Sequence, residues 1–200
     1  MKFIGITGGV GAGKSAVLAY LASLPEVCTL FADDIAAKLT APGGACYDEV
    51  KAVFSGEKVY LEDGQIDRPA MAQSMFADEE KRKKVNAIVH PAVKQYVLRQ
   101  KEAEEKRGKT KFLFLEAALL IEEGYDKICD EIWYVYTSKE TRRQRLARSR
   151  GYSGEKIDRI FASQLEEAEY LKVCSEVIDN NRTVEETIES VAKLLKSKGE

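Results

Sequence analysis

Gly8-Gly9-Val10-Gly11-Ala12-Gly13-Lys14-Ser15 is a complete G-x-x-x-x-G-K-[ST] phosphate-binding loop, and it begins at the eighth residue of a 200-residue chain. The apolar, β-prone run Lys2-Phe3-Ile4-Gly5-Ile6-Thr7 precedes it. Residues 14–23 follow as a helix with Val17, Leu18 and Leu21 on one face. A strand before and a helix after are the flanks that the motif requires. Its glycines let successive backbone N–H groups, with the positive end of the helix, turn toward one anion. Lys14 supplies a mobile cation for β- and γ-phosphates, and Ser15 a hydroxyl ligand for Mg²⁺. A glycine-rich turn without a ligand is the plain alternative, but complete spacing and correct flanks favour a nucleoside triphosphate.

Composition narrows the class. Apolar residues make up 44% and charged residues 32%, as in an ordinary globular domain, and 200 residues suffice for one core or for a core with an inserted small domain. No apolar run reaches the ~20 residues of a membrane span, and the N-terminus reads straight into the glycine loop rather than as a signal peptide. A cytoplasmic protein is expected. Cys28, Cys46, Cys129 and Cys174 are scattered and His90 is the lone histidine, so a zinc site is not expected and the thiols read as reduced, half-buried apolar residues. A net charge of −2 argues against general nucleic-acid affinity. The exception is Lys139 to Arg159, which holds eight basic residues against three acidic ones.

Five strands are expected. After Lys2–Thr7 comes Val27–Phe31, which ends at Ala32-Asp33-Asp34 before a helix from Ile35 to Leu39. Acids at a strand's carboxyl end lie where open α/β sheets bind ligands, although Asp34 in particular could simply cap the helix. Residues 47–107 read as mostly helical, with Asp63-Gly64 as a turn. Pro91 should stop one helix at His90 and start another. This stretch looks like an insertion into the sheet domain, and His90 could either touch substrate or satisfy a helix end.

Lys111–Glu116 is an apolar strand ending on an acid suited to holding Mg²⁺ through water. Glu131–Tyr136 is another buried strand, with Trp133 as core. The basic segment then gives a helix over 139–149, a break at Gly151-Tyr152, and a helix capped by Ser153 running to Leu165. Arginines beside a phosphate loop suggest a lid, in which two or three of the basic residues act and the rest are solvated. Glu176–Asp179 is the last strand. Thr183-Val184-Glu185-Glu186 is a capping box opening a helix with Ile188, Val191, Leu194 and Leu195 in a stripe. The expected fold is α/β, a P-loop kinase fold with a five-stranded parallel sheet and helices on both faces. Neither D-x-x-G nor N-K-x-D, the elements of a GTPase switch, occurs.

Several strings resemble one family in order and spacing: Ile6–Ser15, Ala32-Asp33, Asp67-Arg68, Asn86-x-Ile88-Val89-His90-Pro91-x-Val93, Leu119–Glu122, Arg145-x-x-x-Arg148, Arg159-x-x-x-x-Gln164 and Val177–Asn180. They are similar to those of dephospho-coenzyme A kinase, from residue 2 to about residue 190. The resemblance implies transfer of the ATP γ-phosphoryl to the 3′-hydroxyl of 3′-dephospho-coenzyme A. It implies sheet order 2-3-1-4-5 and a core of residues 1–45 and 108–200 with a lid at about 139–165. Residues 46–107 would be the helical acceptor region.

By position, Gly11, Ala12, Gly13, Lys14, Ser15 and Ala16 would bind the ATP phosphates, with Asn180 near adenine. Asp33 would face the acceptor hydroxyl, and Thr7 and His90 would lie on the acceptor side. Arg145 would approach the phosphates from a lid that also carries Arg148 and Arg159. Catalysis would rest on Asp33, Lys14 and Arg145, with Mg²⁺ at Ser15 and through water at Glu116. The implied partners are ATP and dephospho-coenzyme A, with no nucleic acid and no membrane. Three positions depart from the family pattern: Phe31 replaces an acid before Ala32-Asp33, Ala118 replaces a proline after Glu116, and Arg182 replaces a glycine after the Asn pair. A related P-loop nucleoside or nucleotide kinase, and a non-catalytic nucleotide-dependent switch, are the competing readings.

Overall fold

The computed structural model describes residues 1–199. The strands are β1 (Lys2–Thr7), β2 (Val27–Phe31), β3 (Phe112–Glu116), β4 (Glu131–Tyr136) and β5 (Glu176–Asp179). They form one sheet in the order β2-β3-β1-β4-β5. β1 is parallel to both β3 and β4, and β4 to β5, with Ile4 facing Phe114 on one side and Glu131 on the other. The central strands are nearly continuous apolar runs because a parallel sheet is covered on both faces. Phe3, Ile4, Ile6, Leu113, Phe114, Leu115, Trp133 and Val135 are fully buried. Trp133 meets Phe114 edge-on at 5.2 Å, a core role as its sequence suggests.

The chain divides into two compact units, Met1–Leu30 with the chain from Glu104 onward, and Phe31–Ala103. In the first, α1 (Lys14–Ala22) packs on α9 (Val184–Gly199). The Thr183 box forms in both directions, Thr183 Oγ1 accepting from Glu186 N and Glu186 Oε2 from Thr183 N, each at 3.2 Å. α6 (Lys139–Arg150) starts at the Ser138 cap and ends on Gly151 in the left-handed region. α7 (Gly154–Ala162) starts at Ser153. It stops short of Leu165, because a separate helix, α8 (Glu167–Val173), follows. Tyr170 of α8 stacks on Tyr134 at 4.8 Å. Glu166, at the α8 N-cap, makes no side-chain cap bond, so the local sequence carries little signal for this helix.

The second unit holds α2 (Ala32–Thr40), α3 (Tyr47–Val53), α4 (Arg68–Ala77) and α5 (Glu79–Arg107). A Tyr60–Ile66 bridge turns at Gly64. Asp67 caps α4, its Oδ1 accepting from Ala70 N at 3.1 Å.

Two expectations are corrected here. Pro91 does not divide the helix: α5 runs unbroken over 29 residues with Pro91 inside. Proline costs ~3 kcal/mol in a helix interior. Val85, Val89, Val93 and Val97, spaced by four across it, are all buried, and each such side chain contributes ~1.5–3 kcal/mol. Four in-register valines therefore outweigh one lost N–H. Nor does Asp34 cap α2, because the N-cap is Phe31, and Asp33 and Asp34 both lie in the first helical turn, where negative charge suits the helix dipole.

Candidate active site

In the sheet-containing unit, the loop after β1 delivers Gly13 as the N-cap of α1, at φ 89° and ψ 21°. A left-handed backbone of this kind favours glycine. A Cβ there would also stand 2.1 Å from Asn180 Nδ2. No side chain caps α1 and no acid lies in its first turn. The helix start therefore presents its N–H groups and positive end with no cap and no acid of its own in the way, which suits an anion.

Other strand ends support the loop from outside the motif. The Ala12 carbonyl accepts from Thr137 Oγ1 at 2.9 Å and from Asn180 Nδ2 at 2.7 Å. Asn180 Oδ1 in turn accepts from Thr187 Oγ1 at 2.8 Å, which orients the amide. Thr137, Asn180 and Thr187 are all buried, so their hydrogen bonds hold at full strength. Arg145 Nη2 donates to the Asn180 carbonyl at 2.8 Å. Lys14 Nζ donates to the Gly8 carbonyl at 2.8 Å and lies 3.6 Å from Glu116 Oε1 at the end of β3.

The structure thus gathers Ala12, Gly13, Lys14, Glu116, Arg145 and Asn180 at one end of the sheet, with Thr7 buried at the end of β1. Arg148 and Arg159 are exposed on α6 and α7. Arg143 is tied to Asp158 on α7. Thr137 and Thr187 escaped the sequence reading because a lone threonine carries no motif. Arg142 also escaped it, although its spacing of three from Arg145 puts both on one side of α6.

The helical unit contains a pocket of about 390 Å³ between α2, α4, α5 and the segment around Ile66. Its polar lining is Asp33, Thr40, Gln65, Arg68, Asn86 and His90, and Ala36, Ala37, Met71, Met75 and Val89 are among its apolar walls. Asp33 and His90, fifty-seven positions apart in sequence, therefore share one cavity. Arg68 and Asn86 join them; both lie within the strings quoted above, and only the fold shows that they face the same space.

The family model for dephospho-CoA kinase matches residues 2–186. A dephospho-CoA kinase of Geobacter sulfurreducens is 38% identical over 186 residues, 93% of this chain and 93% of its own. A second, from Geobacillus kaustophilus, is 37% identical over 193 residues, 96% of this chain and 94% of its own. Among solved structures, a Thermus thermophilus protein superposes with a TM-score of 0.79 at 30% identity, covering 98% of this chain and 97% of that one.

Proposed function

The chain belongs to the dephospho-CoA kinase family of ATP-dependent kinases, and on that premise we propose that it transfers the γ-phosphoryl of ATP to the 3′-hydroxyl of 3′-dephospho-CoA, yielding CoA and ADP. The observation that supports this most is the uncapped, acid-free start of α1 beside Lys14, a built receptacle for phosphate. Residues 1–45 and 108–200 then act as the nucleotide core, except that α2 turns Asp33, Ala36 and Ala37 to the acceptor, with 46–107 as the acceptor region and 139–165 as the lid. The protein works in the cytoplasm on these small molecules; among the described residues no helix is long and apolar enough to cross a membrane.

In the reaction the acceptor oxygen forms a bond to the γ-phosphorus while the bond to the β–γ bridging oxygen breaks, leaving its electron pair on ADP. Asp33 orients the attacking hydroxyl and takes its proton. Gly11 to Ala16 hold the phosphates with backbone N–H groups. Lys14 exchanges its Gly8 carbonyl for phosphate oxygens, and Arg145 adds charge from α6. Asn180, its amide already joining Ala12 to Thr187, sets the adenine side. Thr7 and His90 serve the acceptor.

Mg²⁺ fits the donors present. Ser15 Oγ is a hard oxygen that would hold the ion directly, and the Glu116 carboxylate, equally hard, would hold it through water. When bound with ATP, the ion neutralises charge on the β- and γ-phosphates.

A coupled ADP-release assay across a panel of acceptors tests the reading. Dephospho-CoA should be turned over at least a hundredfold faster, per unit concentration, than nucleosides or nucleoside monophosphates. Preference for one of the latter would make the chain another nucleotide kinase. ADP release that no acceptor stimulates would make it a switch.

A further inference from the structure

Arg145 shares its side of α6 with a second arginine one turn earlier. Arg142 Nη1 donates to Gln164 Oε1 at 2.9 Å, and the guanidinium carbon lies 4.6 Å from the Phe161 ring centroid. The Nε of Arg142 is buried with no hydrogen-bond partner. Its guanidinium also lies against the phosphate loop: a Cβ on Gly9 would stand 1.8 Å from Nη1. Gly9 is not among the glycines with positive φ, so its backbone conformation does not demand glycine. Room for the guanidinium does.

The contrast with its neighbours carries the argument. Lys139 pairs with Glu166 and Arg143 with Asp158, whereas among the described residues Arg142 meets an amide, an aromatic ring and a glycine backbone, with the Tyr134 and Tyr170 phenols within electrostatic reach. A partly desolvated cation with a buried, unsatisfied N–H is unfavourable unless a ligand completes it. Beside a phosphate loop the matching ligand is an anion with several acceptor oxygens, for which the guanidinium fork is suited.

We propose that Arg142 is a second phosphate-contacting cation of this site, held against Gly9 by Gln164 and Phe161 until phosphate oxygens of the nucleotide take its free N–H groups. The inference rests on reading the loop as the triphosphate site. It makes Gly9 a residue kept small for the arginine's sake, and it assigns the two lid arginines different duties. Arg145 braces the loop through the Asn180 carbonyl besides adding its charge, and Arg142, which among the described residues has no such carbonyl to hold, meets the ligand alone.

The test is calorimetric titration of the full chain with inorganic tripolyphosphate, with adenosine as a second ligand. Arg142→Met keeps the stem over Phe161 and removes the charge. It should weaken tripolyphosphate about tenfold and leave adenosine unchanged, with Arg142→Lys recovering part of the loss. Gly9→Ala should weaken tripolyphosphate by displacing the guanidinium, and should cost nothing further in the Arg142→Met background. Gln164→Ala should retain tripolyphosphate binding.

Tripolyphosphate affinity within twofold of wild type in Arg142→Met would overturn the assignment alone, leaving the loop reading intact. Equal losses for adenosine and tripolyphosphate, reproduced by Gln164→Ala, would reduce Arg142 to a structural brace. Additive losses in the Gly9 and Arg142 double variant would overturn their coupling. A wild-type chain that fails to bind tripolyphosphate would sink the loop reading and this proposal with it.

Discussion

Around the phosphate loop, Thr137, Asn180 and Arg145 are each tied to a backbone carbonyl, and Thr187 fixes the amide that does part of the tying. In the pocket of the helical unit the walls include Ala36, Ala37, Met71 and Met75, and Asp33 is exposed on the first turn of α2. One region is pre-set by hydrogen bonds, the other shaped by small and flexible side chains. On the proposed function, the difference follows from what each would hold. A phosphate chain presents the same oxygens in any nucleotide, so fixed donors serve it. An acceptor in the pocket would be recognised by shape as well as by its polar lining, and alanines make room that methionines adjust.

That contrast can be broken most forcefully at Asp33, the acid of the loosely built region. Asp33→Asn should lower kcat by roughly 10²–10⁴ with little change in ATP affinity, measured by steady-state kinetics with both substrates varied. Wild-type turnover would remove Asp33 from the chemistry and leave the helical unit a binding surface only.

A smaller loss is expected on the pre-set side. Arg145→Ala should reduce kcat by about 10–10² through the Asn180 carbonyl and the lost charge, and Arg143→Ala, whose exposed partner is Asp158, should change it by less than about twofold. Equal effects would mean that the working face of α6 is misassigned.

Filling the pocket sharpens the comparison from the other side. Ala37→Phe should raise KM for dephospho-CoA roughly tenfold and leave KM for ATP unchanged if the pocket that Ala37 lines takes the acceptor alone, as proposed. A parallel rise in both constants would show that the two regions do not divide the substrates.

The smallest effect concerns stability at the end of the sheet where β4 begins. Burial works against ionisation of Glu131 more than any other single influence. Hydrogen bonds from Trp133, Lys2 and Lys198 together outweigh it and bring the carboxyl from 4.5 down to about 2. The folded state therefore favours the carboxylate, and this contribution is complete above pH 4.5 and lost as pH falls toward 2. Glu131→Gln should lower the urea midpoint at pH 6 and close most of that gap at pH 2. A gap that does not change with pH would remove Glu131 from the acid response.

Much of the frame was legible because its signals are local. The strands over 2–7, 27–31, 131–136 and 176–179 coincide with their sequence runs, and the Ser153 and Thr183 starts follow N-capping chemistry. Where local rules failed, longer contacts had overruled them. Pro91 stays helical because four valines spaced by four pack along one stripe. α8 forms where its Tyr170 can stack on Tyr134. The candidate site divides in the same way: Lys14 and Ser15 announce themselves through spacing, but nothing near Thr137 or Thr187 marks them as supports of Ala12.

From the amino-acid order alone came the phosphate loop, the parallel α/β frame and the family, because a glycine pattern, apolar runs and capping residues act over a few positions of chain. Which side chains support the loop, which arginine lies on Gly9, and which residues share a cavity with Asp33 and His90 were decided only when the chain closed. Those contacts join positions as distant as Ala12 and Asn180, and their hydrogen bonds depend on burial that no short segment possesses by itself.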